Sequence, residues 1–391
     1  MIIAMGKYSF DKIADRRNID SIKYQGDQNI LPMWVADMDY YVLPEIVESI
    51  KNKADKSCFG YVDIMDGYFE SYISWYQRKY NIDIPKDYFI FSLGVVASID
   101  SIFKHLLSKG DKVMMFSPIY HTFYHCIEHN NLEFVDYPLI YDENEHKYRL
   151  DLEHLENALK DVDALLLCNP HNPVGHIYSL DELNEIAGLC KKHGVYLLSD
   201  EIHFDITAPE VKCRSILEIN KEYLDNVICL LAPSKAFNLA SIQSSVVVVP
   251  NKELREKIQS YVYMDDVGEP NFFSCAATIA AYNYGLDWNL EMREYVENNK
   301  KYLDSFLKEK LPHIYLVESK SLYLVWVDIS YYSSSSDIFA KKLKEQTGLW
   351  VCPGTQFKGN GNKFLRINLA TSLDNVKDAC GRLERFINKN Y

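Results

Sequence analysis

Two apolar patterns alternate through the middle of the chain. The first is the unbroken run: "DKVMMFSP", "DALLLCNP", "VYLLSDEI", "NVICLLAPS" and "SSVVVVP". Short runs with no polar alternation predict strands buried on both faces. The second is the helical repeat. "GVVASIDSIFKHLLSKG" over 94–110 puts Val96, Ile99, Phe103 and Leu106 on one face and is expected to end at Gly110. "SLDELNEIAGLCKKHG" opens on a capping box of Ser179 and Glu182 and closes on Gly194. Buried strands separated by amphipathic helices predict an α/β fold with a mostly parallel sheet covered on both faces.

Toward the C-terminus the pattern changes. "SLYLVWVDIS" and "NKFLRINLA" read as strands, and "SLDNVKDACGRLERFINKN" as a surface helix capped by Ser372. Together they predict a smaller α/β unit beginning near Asp287. "YYSSSSD" over 331–337 reads as a loop. The first forty residues are too irregular for a core element and are expected to wrap back onto one of two domains. A chain of 391 residues is long for a single core, which also favours two domains.

Composition then removes several function classes. Nearly half the residues are apolar (48%) and a quarter are charged, an ordinary globular balance. The net charge of −13 disfavours nucleic acid and anionic membranes as partners. The apolar runs are far too short to span a bilayer. The N-terminal "MIIAMGKYSFDKIADRR" has neither a long apolar stretch nor a small-residue cleavage site, so no secretory signal is expected. Nine cysteines without regular spacing or a CxxC pair fit free thiols in a reducing cytoplasm better than disulfides or a zinc site.

Ligands of parallel α/β sheets gather at the carboxyl ends of strands, so the strand ends are where chemistry is sought. Lys235 ends the apolar run "VICLLAPSK", where an unpaired ammonium is costly. Asp200 follows "VYLLS"; such a carboxylate can bind a metal, act as a base, pair with a cation or cap a turn. Asn172 lies in "NPHNPVG", which on its own is a turn. Tyr120, after "SPI", reads equally as packing. Gly94, Val95 and Val96 can cradle a phosphate with helix-start N–H groups but do not form a Walker loop. Arg366, inside a strand, has a surface ion pair as its ordinary reading. Taken together they supply an amine, a carboxylate, a phosphate cradle, an aromatic plate, an amide and a carboxylate-binding guanidinium. That set can hold a phosphorylated pyridine aldehyde and an amino acid.

The order "SLGVV", "SPIY", "NPHNPVG", "SDEIHFD", "SKAFN", "FLRINLA" resembles fold-type I pyridoxal-phosphate enzymes of the class I/II aminotransferase superfamily. Within it, "LPMWVADMDY" and the preceding "FDKIADRRNIDSIKY" resemble the cystathionine β-lyase, or C–S lyase, branch typified by MalY and PatB. Two departures from the aminotransferase pattern are Ala232, where a hydroxyl residue is common, and Gln243, where a phosphate-binding Arg is common. The resemblance implies an aspartate-aminotransferase fold: a seven-stranded, mostly parallel sheet between helices, plus a small C-terminal α/β domain. The implied division is 1–45 as an N-terminal segment on the small domain, 46–286 as the cofactor domain and 287–391 as the small domain.

The same resemblance implies roles. Lys235 condenses with the cofactor aldehyde and then serves as acid and base. Asp200 pairs with the pyridine N–H, Tyr120 stacks on the ring and Asn172 bonds its hydroxyl. Gly94, Val95, Val96 and Ser234 hold the phosphate, and His203 stands where aminotransferases usually have Tyr. Arg366 clamps the substrate carboxylate beside Trp34, Val35 and Ala36. Tyr61, in "FGYVD", reaches the phosphate of a neighbouring subunit, which implies a homodimer; packing is its other reading. The expected reaction is elimination from an S-substituted cysteine. An aminotransferase, or a cofactor-binding regulator acting through protein contacts, remains open at this point.

Overall fold

The computed structural model describes residues 7–391. The first six, part of the stretch read for a secretory signal, lie outside the described residues. The apolar runs become the strands of one large sheet: β1 (Phe89–Ser92), β2 (Lys112–Met115), β3 (Glu133–Asp136), β4 (Ala164–Cys168), β5 (Tyr196–Asp200), β6 (Val227–Leu231) and β7 (Ser245–Val248). Their spatial order is β1-β7-β6-β5-β4-β2-β3, and only β7 runs against its neighbours. Every residue of β4 and β6 is buried, as unbroken apolar runs require. Apolar clusters lie on both faces, one gathering Leu165, Leu197 and Cys229, the other Leu166, Leu198 and Ile228. Successive residues of a strand point to opposite faces, which explains the division.

The capping box holds in the structure: Ser179 accepts from the Glu182 N–H and heads α2, which spans Leu180–His193 and ends on left-handed Gly194. The helix after Gly94, α1 (Val95–Leu106), stops four residues before Gly110. The Asp111 carboxylate accepts from the Ser108 N–H at 2.8 Å and closes a turn there, a local bond that competes with further helix. Gly110, with φ +89°, completes that turn.

After the long helix α3 (Leu286–Lys310) comes an antiparallel sheet of β8 (Tyr315–Leu316), β9 (Leu324–Asp328), β10 (Cys352–Pro353) and β11 (Phe364–Asn368), ordered β8-β9-β11-β10. Helix α4 (Leu373–Asn390) is capped by Ser372 as expected. The expected loop at 331–337 ends early, because the Ser335 side chain caps the helix Ser336–Thr347.

Residues 7–40 are largely irregular, yet they are not outside the core: Phe10, Met38 and Tyr40 are buried in it. Leu31–Pro32 pairs in parallel with Leu349–Trp350. Arg16 and Lys23 bracket Asp37 and Asp39, with a buried Lys23–Asp39 contact of 2.8 Å. Ion pairs and long-range side-chain hydrogen bonds add to the short strand pairing in fixing the segment. All nine cysteines are free thiols. Among the described residues no group of His, Cys, Asp and Glu is placed to hold a metal, and no helix is long and apolar enough to cross a membrane.

Candidate active site

Parallel β4, β5 and β6 end side by side, with Cys168 opposite Asp200 and Asp200 opposite Leu230. Beyond those ends lies a cavity of about 210 Å³. Ala36, Gly94, Val95, Val96, Tyr120, Asn172, Asp200, His203, Ser234 and Lys235 all line it. Chain segments far apart in sequence thus converge at the place the sheet topology predicts.

Lys235 leaves β6 through Ala232-Pro233-Ser234. Bonds from the Phe237 N–H to the Pro233 carbonyl and from the Leu239 N–H to the Ser234 carbonyl, each 2.9 Å, wind this stretch tightly. The Lys235 Nζ donates to the Ala36 carbonyl at 2.7 Å. Burial pulls its pKa down to about 8, and the charge of Arg366 adds to that, while Asp37 and Asp200 oppose it. The amine is therefore partly neutral near neutral pH and able to take up a proton. Asp200 answers the four readings open to it: it sits in the cavity, its Oδ1 accepts from the Ile202 N–H at 3.0 Å, and burial pushes its pKa up to about 7. Its neighbour Glu201 points away, taking bonds from Ser199, Ser215 and the Ile216 N–H.

Arg366 is buried on β11, so the surface ion-pair reading is wrong; no carboxylate pairs with it among the described residues. It donates to Asn172 Oδ1 at 3.3 Å and to the Trp34 carbonyl at 3.0 Å, with the Phe357 ring 4.7 Å from its carbon. Its Nε is buried without a partner, and so is His203 Nδ1. Burial, with Lys235 and Arg366 nearby, drives the His203 pKa well below the usual imidazole range, so the ring is neutral. Tyr61 stands apart: its side chain is fully exposed and lines none of this cavity.

These residues fit pyridoxal phosphate. A Cβ at Gly94 meets no atom within 4 Å and would stand in open cavity. The first N–H groups of α1 border the same space, which suits a phosphate. A buried amine and a buried carboxylate with opposite shifts suit the aldehyde and the pyridine nitrogen, and the orphaned His203 Nδ1 lies nearby. Ala240 lines the cavity, whereas Ala236 is packed in the core. Gln243 is exposed with φ +54° and supplies no cavity cation. Sequence reading passed over Asn368, Tyr323 and Cys168. Alternation in "FLRINLA" carries the signal for Asn368: Leu365, Ile367 and Leu369 face the small core, so Arg366 and Asn368 share the other face.

The family model for aminotransferase class I and II matches residues 29–383. The cystathionine β-lyase PatB of Bacillus subtilis is 32% identical over 384 residues, covering 96% of this chain and 99% of the relative. A pyridoxal-phosphate-bound protein of Clostridium difficile 630, provisionally named an aminotransferase, superposes with a TM-score of 0.94 at 35% identity, covering 97% and 100%. The pyridoxal-phosphate-bound C–S lyase of Staphylococcus hominis superposes with a TM-score of 0.91 at 29% identity, covering 97% and 98%.

Proposed function

This chain belongs to the class I and II aminotransferase family, and we propose that within it the protein is a pyridoxal-phosphate-dependent carbon–sulfur lyase of the cystathionine β-lyase type. The reaction takes an S-substituted L-cysteine and water to a thiol, pyruvate and ammonia. The observation that carries this is the buried Lys235 amine and the buried Asp200 carboxyl lining one cavity, with Arg366 bonded to the lining Asn172 and paired with no carboxylate among the described residues. Full-length similarity to lyases selects elimination over amino transfer.

When bound, pyridoxal phosphate joins amines through its aldehyde and draws electron density from the substrate Cα into its ring. The rest falls to the chain. Arg366 takes the substrate carboxylate through the face not used by Asn172 and Trp34. Neutral Lys235 removes the Cα proton; a base near pKa 8 is matched to that task. Asp200 would sit beside the pyridine nitrogen of the bound cofactor, whose positive charge would favour the carboxylate against the burial that otherwise raises its pKa to about 7, and neutral His203 adds no competing charge. As the C–S bond breaks, its electron pair leaves on sulfur. The released aminoacrylate then hydrolyses to pyruvate and ammonia.

Tyr61 acts in this reading from the neighbouring subunit of a homodimer. Its support is its own full exposure, with Phe59, Tyr263, Met264 and Tyr284 among the other large apolar side chains left exposed. The proposed units are an N-terminal segment 1–45, a cofactor domain 46–286 and a small domain 287–391. We place the protein in the cytoplasm on its free thiols. Purified protein with cystathionine tests the function. Thiol and pyruvate should appear with no 2-oxo acid added; turnover that needs such an acceptor contradicts it.

A further inference from the structure

The substrate-facing stretch Trp34–Met38 has no strand partner, yet its carbonyls meet the two most important cations of the site. The Trp34 carbonyl accepts from Arg366, and the Ala36 carbonyl accepts from Lys235 at 2.7 Å and from the Tyr323 hydroxyl at 3.1 Å. The carbonyls between and after them turn elsewhere. Those of Val35 and Asp37 both accept from the Asn368 side-chain amide, at 2.6 Å and 2.5 Å. The Asn368 backbone N–H also donates to the Met33 carbonyl at 2.9 Å. Its side-chain oxygen accepts from the Ala370 N–H at 2.8 Å. Asn368 is 1% exposed, and its backbone N–H and both ends of its side-chain amide are bonded.

We propose that Asn368 is a positioning residue for the reaction. Its amide draws the Val35 and Asp37 carbonyls to one point. The bend this imposes presents the Trp34 carbonyl to Arg366 and the Ala36 carbonyl to Lys235. Because Asn368 lies two residues beyond Arg366 on the same face of β11, one strand both clamps the substrate carboxylate and sets the acceptor for the catalytic amine. That acceptor holds Lys235 whenever its nitrogen carries hydrogen, and so fixes where the amine waits to take the Cα proton. A backbone bend held by side-chain donors depends on them directly, since no ladder hydrogen bonds replace them.

This rests on the lyase reading only for the identity of the proton transfer. The test uses the cofactor-loaded enzyme and two variants. Asn368→Asp keeps the volume and the acceptor for Ala370 but loses both donors; Asn368→Ala loses volume as well. The first readout is the affinity for L-alanine, an amino acid with no group to expel, followed through the visible absorbance of the cofactor. The second is the split between kcat and KM on an S-substituted cysteine. Both variants should load cofactor normally, bind L-alanine about tenfold more weakly, and lose about tenfold in kcat. Tyr323→Phe removes only the second donor on Ala36, so kcat should fall severalfold with L-alanine affinity unchanged. This variant keeps the proposal testable if the Asn368 variants fail to fold. An Asn368→Asp variant with wild-type affinity and kcat overturns the proposal, as does a Tyr323→Phe variant with unchanged kcat. Weakened L-alanine binding in a protein that eliminates no thiol would leave the positioning role standing and remove the lyase reading.

Discussion

Asp200 offers a prediction in which two effects of one change carry opposite signs. Burial raises its pKa from 3.8 to about 7 even though Lys235 and the Ile202 N–H favour the carboxylate. Without cofactor, the folded protein therefore holds this proton more tightly than the unfolded chain does. A raised acid contributes its stability below about pH 4 and loses it as pH climbs through about 7. A rise of about 3 units corresponds to about 4 kcal/mol against the apoprotein at pH 8, and about 0.5 kcal/mol at pH 4. Asp200→Asn keeps an oxygen for the Ile202 N–H and removes the charge. The variant apoprotein should be more stable than wild type at pH 8 by about 2–4 kcal/mol, and nearly equal at pH 4. Cofactor affinity should move the other way. A charge-assisted bond is lost, so binding should weaken by about 10- to 100-fold. Urea denaturation of both apoproteins at the two pH values, with cofactor titration by absorbance, measures both. A stability difference that does not change with pH, or undiminished cofactor affinity, refutes the reasoning.

Arg366→Lys keeps the charge but loses the planar fork, so KM for an amino acid substrate should rise about tenfold or more with cofactor loading unchanged, as steady-state kinetics will register. If Tyr61 acts across subunits, random mixing of Tyr61→Phe protomers with Lys235→Ala protomers should restore about a quarter of wild-type activity overall, since about half the dimers are mixed and each holds one intact site of two, whereas each parent stays impaired. Ser179→Ala should cost about 1 kcal/mol in stability and leave kcat/KM unchanged, since it removes a helix cap far from the cavity.

The central sheet was legible because its strands are unbroken apolar runs, and the site was legible because α/β topology fixes where such strands deliver their polar ends. Lys235, Asp200, Asn172 and Gly94 could thus be found by listing strand ends. Arg366 was visible as a residue, but its burial was not, because one cation in an alternating strand looks the same on either face. The helix end at Leu106 was misplaced because the competitor is a side-chain bond from Asp111. The N-terminal segment was the least readable. Its order comes from long-range partners such as Asn238 with Met38 and Asn368 with Val35 and Asp37, which leave no periodic trace. For the same reason Asn368 was missed, although it lies two residues from Arg366.

The account stands on Lys235 as the residue that joins the cofactor within the cavity above β4, β5 and β6. Reducing the yellow holoenzyme with borohydride and mapping the modified peptide tests that directly. The label should sit on Lys235 alone, with Lys235→Ala taking none. A label on another lysine, or a protein that takes up no pyridoxal phosphate, would contradict it.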